Sequence, residues 1–120
     1  MINALLTHCL SKEGAYLDFP FGEIPAVVKV GGRIFAELYI RKEKPQITMK
    51  CEPVLARLLR EKYPGTVIPG YHVVNRNKPY WNTVLLDDGI IGLDELYEMV
   101  DHSYHEVVKK LKKLTPTLNP

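Results

Sequence analysis

The sequence predicts an α+β domain built on an antiparallel β-sheet. Three observations carry this expectation. An amphipathic helical repeat opens the chain, period-two strands divided by tight-turn signals follow it, and helical spacing returns from residue 93 towards the end. The elements therefore run helix, strands, helix, strands, helices, and 120 residues suit one domain with a buried core.

Each element has a local reason. Over residues 3–13, Ile2, Leu5, Leu6, Cys9 and Leu10 fall on one face; Asn3 is placed to cap the start and Gly14 to stop the helix. His8 sits beside that stripe and reads as a boundary residue. Residues 15–25 hold Pro20, Gly22 and Pro25 and are expected to be irregular, with Phe19 and Phe21 over a core edge. A hairpin follows: Val27–Val30, the turn Gly31-Gly32, and Arg33–Ile40. In its second strand Ile34, Ala36, Leu38 and Ile40 share one face, and Arg33, Phe35, Glu37 and Tyr39 the other. A two-residue turn sets Lys29 opposite Ile34 on the apolar face, a conflict that a bulge or a longer loop removes. Residues 41–45 read as a charged, solvated turn. Gln46–Cys51 alternates, with Ile47, Met49 and Cys51 inward. The opposite face of this three-stranded unit is expected to be polar, carrying Arg33, Gln46, Thr48 and Lys50.

Pro53 suits the first position of a helix over 53–63, with Val54, Leu55, Leu58 and Leu59 as its buried stripe. Thr66–Ile68 and Tyr80–Leu86 read as strands, and Asp87-Asp88-Gly89 as a tight turn. In the tail, Ser103 and Glu106 form a capping-box pattern. Two consecutive helices with a break near Asp101–Ser103 are therefore expected. Lys109, Lys110, Lys112 and Lys113 lie where cations complement a helix C-terminus, a reading that accounts for them as well as nucleic acid does.

Composition narrows the function. Sixteen Lys and Arg against fourteen Asp and Glu leave a net charge of +2, so any basic footprint must be local. Cys9 and Cys51 have no metal-type spacing and suit buried thiols in a reducing compartment. Met1–Leu10 lacks the features of a signal peptide, and no apolar run approaches bilayer length. A cytoplasmic, non-membrane protein is expected.

No catalytic residue is assigned. Nucleophile-elbow, phosphate-loop and dinucleotide signatures are absent, and the Asp87-Asp88 pair lies in a turn that favours Asp for backbone reasons. No metal site is assigned either: His102 and His105 are three apart but the expected helix break would splay them. The densest chemistry lies from Pro69 to Thr83. There Arg76 and Lys78 can meet phosphates, Asn75 and Asn77 can read base edges, and Tyr71, His72, Tyr80 and Trp81 offer stacking faces. Read alone, Trp81 is a core anchor, and Arg76 and Lys78 read equally well as solvated cations.

Several segments together resemble the MmcQ/YjbR family: residues 28–36 (VKVGGRIFA), 47–53 (ITMKCEP), 59–65 (LREKYPG), 69–72 (PGYH), 81–84 (WNTV) and 99–104 (MVDHSY). They cover nearly the whole chain in order. The resemblance implies a CyaY-like fold with helices packed on one face of the sheet, and a proposed double-wing DNA-binding role. Lys29, Lys50, His72, Asn77, Lys78 and Trp81 match the family pattern, and Arg33 stands where the family usually has lysine. Two departures fall in the wing-like loop. Residues 73–76 lengthen it between His72 and Asn77, and Tyr80 replaces the usual histidine before the tryptophan. Similarity to frataxin-like folds does not carry iron binding, because the first helix offers only Glu13, near its end.

The expected function is DNA binding of unknown sequence preference by a monomer without catalysis, cofactor or metal. Lys29, Arg33, Lys50, Arg76 and Lys78 would hold phosphates, with Asn77 in the same loop and Tyr71, His72 or Trp81 stacking or entering a groove. The alternative is a small-ligand or protein-interaction module using the same polar face.

Overall fold

The computed structural model describes residues 1–20, 22, 25–70 and 80–114. Within them the chain runs α1 (Ile2–Leu10), β1 (Tyr16–Asp18), β2 (Ala26–Val30), β3 (Arg33–Arg41), β4 (Lys44–Lys50), α2 (Pro53–Lys62), β5 (Val67–Pro69), β6 (Trp81–Leu85) and α3 (Leu93–Leu114). The six strands form one antiparallel sheet in the order β1-β2-β3-β4-β6-β5. Three helices cover one face. Leu5 and Cys9 of α1 and Leu96, Val100 and Val107 of α3 share a core with Val28, Ala36, Ile47, Met49 and Val84 of the sheet. No helix among the described residues is long and apolar enough to cross a membrane.

The β2–β3 hairpin resolves the register conflict with a bulge. Gly31-Gly32 is a two-residue turn with both φ angles positive, which glycine adopts without steric cost. Lys29 does lie opposite Ile34, but Val28 then pairs with Ala36, so Phe35 is the extra residue on β3. The bulge turns Phe35 into the core, where it is fully buried and meets Tyr104 edge-on at 5.4 Å. Strict alternation places Phe35 on the opposite face. Ile40, expected inward, is exposed.

The bulge also opens the β3–β4 ladder. Its last pair is Ala36 with Met49, and Phe35 and Lys50 do not pair directly. Ser103 of α3 stands between them. Its hydroxyl donates to the Phe35 carbonyl at 2.6 Å and accepts from the Lys50 amide at 2.9 Å. This explains why α3 is one continuous helix, contrary to the break expected at Asp101–Ser103. A capping serine would have to leave the helix and face a free amide of the next turn. Ser103 is instead fully buried and satisfies strand groups that the bulge has stranded.

Other boundaries differ from expectation for similar reasons. Helix α1 starts one residue before Asn3, which is not its cap, and no side chain caps it. Residues 16–18, expected to be irregular, form the edge strand β1, held to β2 by the Lys29–Asp18 ion pair at 2.8 Å. The charged turn shrinks to Lys42-Glu43, both with positive φ, and β4 begins at Lys44. Glu52 caps α2, its carboxylate accepting from the Val54 and Leu55 amides at 3.0 Å each. The inward face of α2 is rotated from the expected one. Ala56 is fully buried beneath it, whereas Val54 and Leu58 are exposed. The Ala56 carbonyl accepts from Asn82 Nδ2 at 3.2 Å, which fixes that rotation.

The second sheet face is polar but not open at its centre. Thr48 and Thr83 are fully buried, and Glu37, Tyr39 and Gln46 nearly so. Tyr39, Thr48 and Thr83 form a chain of hydroxyl hydrogen bonds of 2.8 and 2.7 Å. Burial raises the Glu37 carboxyl above its ordinary range.

Replacing Ser103 by alanine leaves two buried backbone groups without that partner. The expected loss of unfolding free energy is about 1–3 kcal/mol in urea titration. Threonine, which keeps the hydroxyl, should retain more of the stability than valine, which does not.

Candidate nucleic-acid interface

The expected site residues separate into three groups. Tyr71, His72, Arg76, Asn77 and Lys78 lie outside the described residues. The backbone flanking them is described, and it is tied to the sheet. The Gly70 amide donates to the Trp81 carbonyl at 3.0 Å, and the Cys51 amide to the Tyr80 carbonyl at 2.6 Å. Trp81 is half-buried and lies opposite Lys50 across β4 and β6.

Lys29 stands apart. Its ammonium is ion-paired with Asp18, and that hydrogen bond raises its pKa while lowering that of Asp18. Its charge already has a partner, so a phosphate would have to compete with Asp18 for it.

Lys50 and Arg33 come together with a residue that sequence reading assigns elsewhere. The Ser103 bridge fixes α3 against the end of β4, and Lys110 lies two turns further along the same helix. Lys50 has its pKa lowered, first by burial and then by the neighbouring charges of Lys110 and Arg33. Glu106 opposes that shift only in part. Its carboxylate is also ion-paired with Lys109 at 3.1 Å. A shallow hollow of about 260 Å³ is lined by Lys50, Pro53, Tyr80, Glu106, Lys109 and Lys110. It combines a half-exposed tyrosine ring with several ammonium groups, which is chemistry suited to a phosphate beside a planar ring.

The closeness of Arg33 also has a steric basis. A Cβ on Gly31 would come within 2.6 Å of Leu111 Cδ1, so the β2–β3 turn packs tightly under the end of α3. Sequence reading missed Lys110 because the macrodipole accounted for the lysine cluster. The usable signal was its seven-residue spacing from Ser103, which puts both on neighbouring positions of one helix face.

Among the described residues nothing assembles a catalytic nucleophile. Burial pushes the Cys9 thiol up to about 12 and the Cys51 thiol up to about 11. Although α3 is continuous, His102 Nε2 is occupied by the Glu52 amide at 3.1 Å, and among the described residues no three His, Cys, Asp or Glu side chains converge on a metal-sized site.

The YjbR family model matches residues 10–106. The chain is 34% identical over 110 residues to the uncharacterized protein YjbR of Escherichia coli strain K12, covering 92% of this chain and 89% of that one. It is 33% identical over 97 residues to the uncharacterized protein YbdF of Escherichia coli O157:H7, covering 81% and 75%. Among solved structures, Deinococcus radiodurans protein DR2400, with a family-model domain DUF419, superposes with a TM-score of 0.81 at 32% identity, covering 92% of this chain and 80% of that one.

Two outcomes test this geometry. Lys50→Met should raise the melting temperature at low ionic strength, because it removes a desolvated charge beside two others. Added salt should narrow the difference from the unsubstituted protein by screening that repulsion. In the native state both thiols should resist a disulfide reagent at pH 8 and react promptly once the chain is unfolded in guanidinium, as absorbance at 412 nm would record.

Proposed function

This chain belongs to the YjbR family, and we propose that it binds DNA, gripping phosphates with Arg33, Lys50 and Lys110. The observation that carries the proposal is the gathering of Lys50, Arg33 and Lys110: Lys50 is partly desolvated, two like charges stand near it, and Glu106 offsets them only in part. In folded monomeric domains buried cations are ordinarily paired. Here the nearby carboxylate, Glu106, is ion-paired with Lys109.

The described residues on either side of 71–79 support the reading: Tyr80 lines the hollow with Lys50 and Lys110, and Gly70 is bonded to Trp81, which lies opposite Lys50. Arg76, Asn77 and Lys78 would then extend the phosphate track, and Tyr71, His72, Tyr80 and Trp81 would supply ring contacts. Lys29, paired with Asp18, takes a lesser part. The proposed mode needs no catalysis, cofactor or metal, and a monomer suffices.

Fluorescence anisotropy with a labelled duplex tests this. Binding should be measurable at about 50 mM salt, and the logarithm of the association constant should fall linearly with that of the salt concentration. Replacing Lys50 and Lys110 with methionine should make the slope shallower by roughly one for each phosphate no longer neutralised. Absence of binding at low salt, or an unchanged slope in the double variant, overturns the proposal.

A further inference from the structure

A second cleft opens on the helix side of the sheet, between α2 and α3, with a volume of about 210 Å³. Its walls are largely apolar, with Leu59 from α2, Met99 from α3 and Val84 from β6, and Lys50 and His102 also line it. For scale, an apolar protein cavity of about 150 Å³ accepts benzene. Two features distinguish this cleft from a packing gap.

The first is Asn82, which also lines it. Asn82 is only 4% exposed, and its Oδ1 has no hydrogen-bond partner among the described residues. The orientation of its amide is set by chemistry, because Nδ2 donates to the Ala56 carbonyl and the reverse orientation would set two acceptors against each other. An acceptor is therefore left unsatisfied in an apolar environment, which ordinarily costs free energy and calls for a donor. The second feature is the rim on α3. Glu95 and Glu98 are three residues apart on the cleft side, and the Glu95 carboxylate is fixed by the Tyr63 hydroxyl at 2.7 Å.

The geometry points to a binding site for a small apolar amine: a ring or short hydrocarbon body between Leu59, Met99 and Val84, with a cationic N–H head shared by Asn82 Oδ1 and the acidic rim. Such a molecule supplies the missing donor and answers the carboxylates together. An apolar acid of the same shape would supply no donor to Asn82 Oδ1 and would meet like charge at the Glu95–Glu98 rim, with Lys50 at the edge of the lining to answer it. Met99 is the wall that can adjust, since its unbranched thioether repacks at small cost. Lys50 also lines this cleft, so the site adjoins the cation cluster, with Glu95 and Glu98 as its acidic rim.

The test is titration of phenethylamine into the intact, nitrogen-15-labelled chain, with phenylacetate as the shape-matched anion. Phenethylamine should give saturable shifts centred on the amides of Asn82, Val84 and Met99, and phenylacetate should bind about tenfold more weakly or worse. Asn82→Leu and Glu98→Gln should each weaken phenethylamine by roughly tenfold, the loss of about one charge-assisted hydrogen bond. Leu59→Trp, which fills the cleft from a half-buried helix position, should abolish binding while the spectrum stays dispersed. It keeps the test decisive should Asn82→Leu fail to fold. Absence of saturable shifts, equal binding of phenylacetate, or undiminished binding in Leu59→Trp overturns the assignment.

Discussion

The hydroxyl of Ser103 is the constraint on which the rest depends. The Phe35 bulge ends the β3–β4 ladder one pair early and leaves a carbonyl and an amide facing a gap. One hydroxyl can donate to the first and accept from the second, and Ser103 does both. The bond fixes where α3 crosses the sheet and which of its faces lies down. Leu96, Val100 and Val107 then enter the core on the same face. The C-terminal turns of α3 are carried over the β2–β3 turn, and Lys110 is delivered to the neighbourhood of Lys50 and Arg33. A local irregularity in one strand thus positions a charge cluster at the end of another.

Most of the architecture was legible in the sequence because it rests on periodicity. The strands around Val27, Leu38, Ile47 and Val84 read as strands because alternation survives wherever one face is buried. What was not legible required knowing who stands opposite. Alternation could not place Phe35, since a bulge changes the count by one and only the register reveals it. Ser103 and Glu106 matched a capping box, yet the pattern describes what a serine can do for its own helix, not for a strand across the core. The tilt of α2 depended on Asn82, twenty-six residues away.

The candidate sites divide along the same line. Trp81 and Lys50 were both named from the sequence, and the register sets them opposite each other across β4 and β6. Lys29 was grouped with them on charge and on its match to the family pattern, but Asp18 on the adjoining edge strand takes its ammonium, and β1 was too short to read. Lys110 was visible but already had a sufficient local explanation. Side chains that serve one helix by their position can also serve a neighbouring element, and spacing does not separate the two roles.

The energetics give the Lys50 cluster its meaning. Burial disfavours the charged form of Lys50, two nearby cations add to that cost, and Glu106 offsets it only in part. A sequence selected for stability alone would place methionine there, keeping the hydrocarbon stem and discarding the charge. Retaining the ammonium sacrifices some folding free energy. That sacrifice is intelligible where an anion completes the arrangement, since the repulsion stored in the unbound protein is released on binding and adds to affinity. The same logic applies with opposite sign on the helix side. There the Asn82 acceptor has no partner among the described residues, and two carboxylates stand at the rim of an apolar cleft. The two sites therefore call for partners of opposite charge, and Lys50 stands at the border between them, lining both.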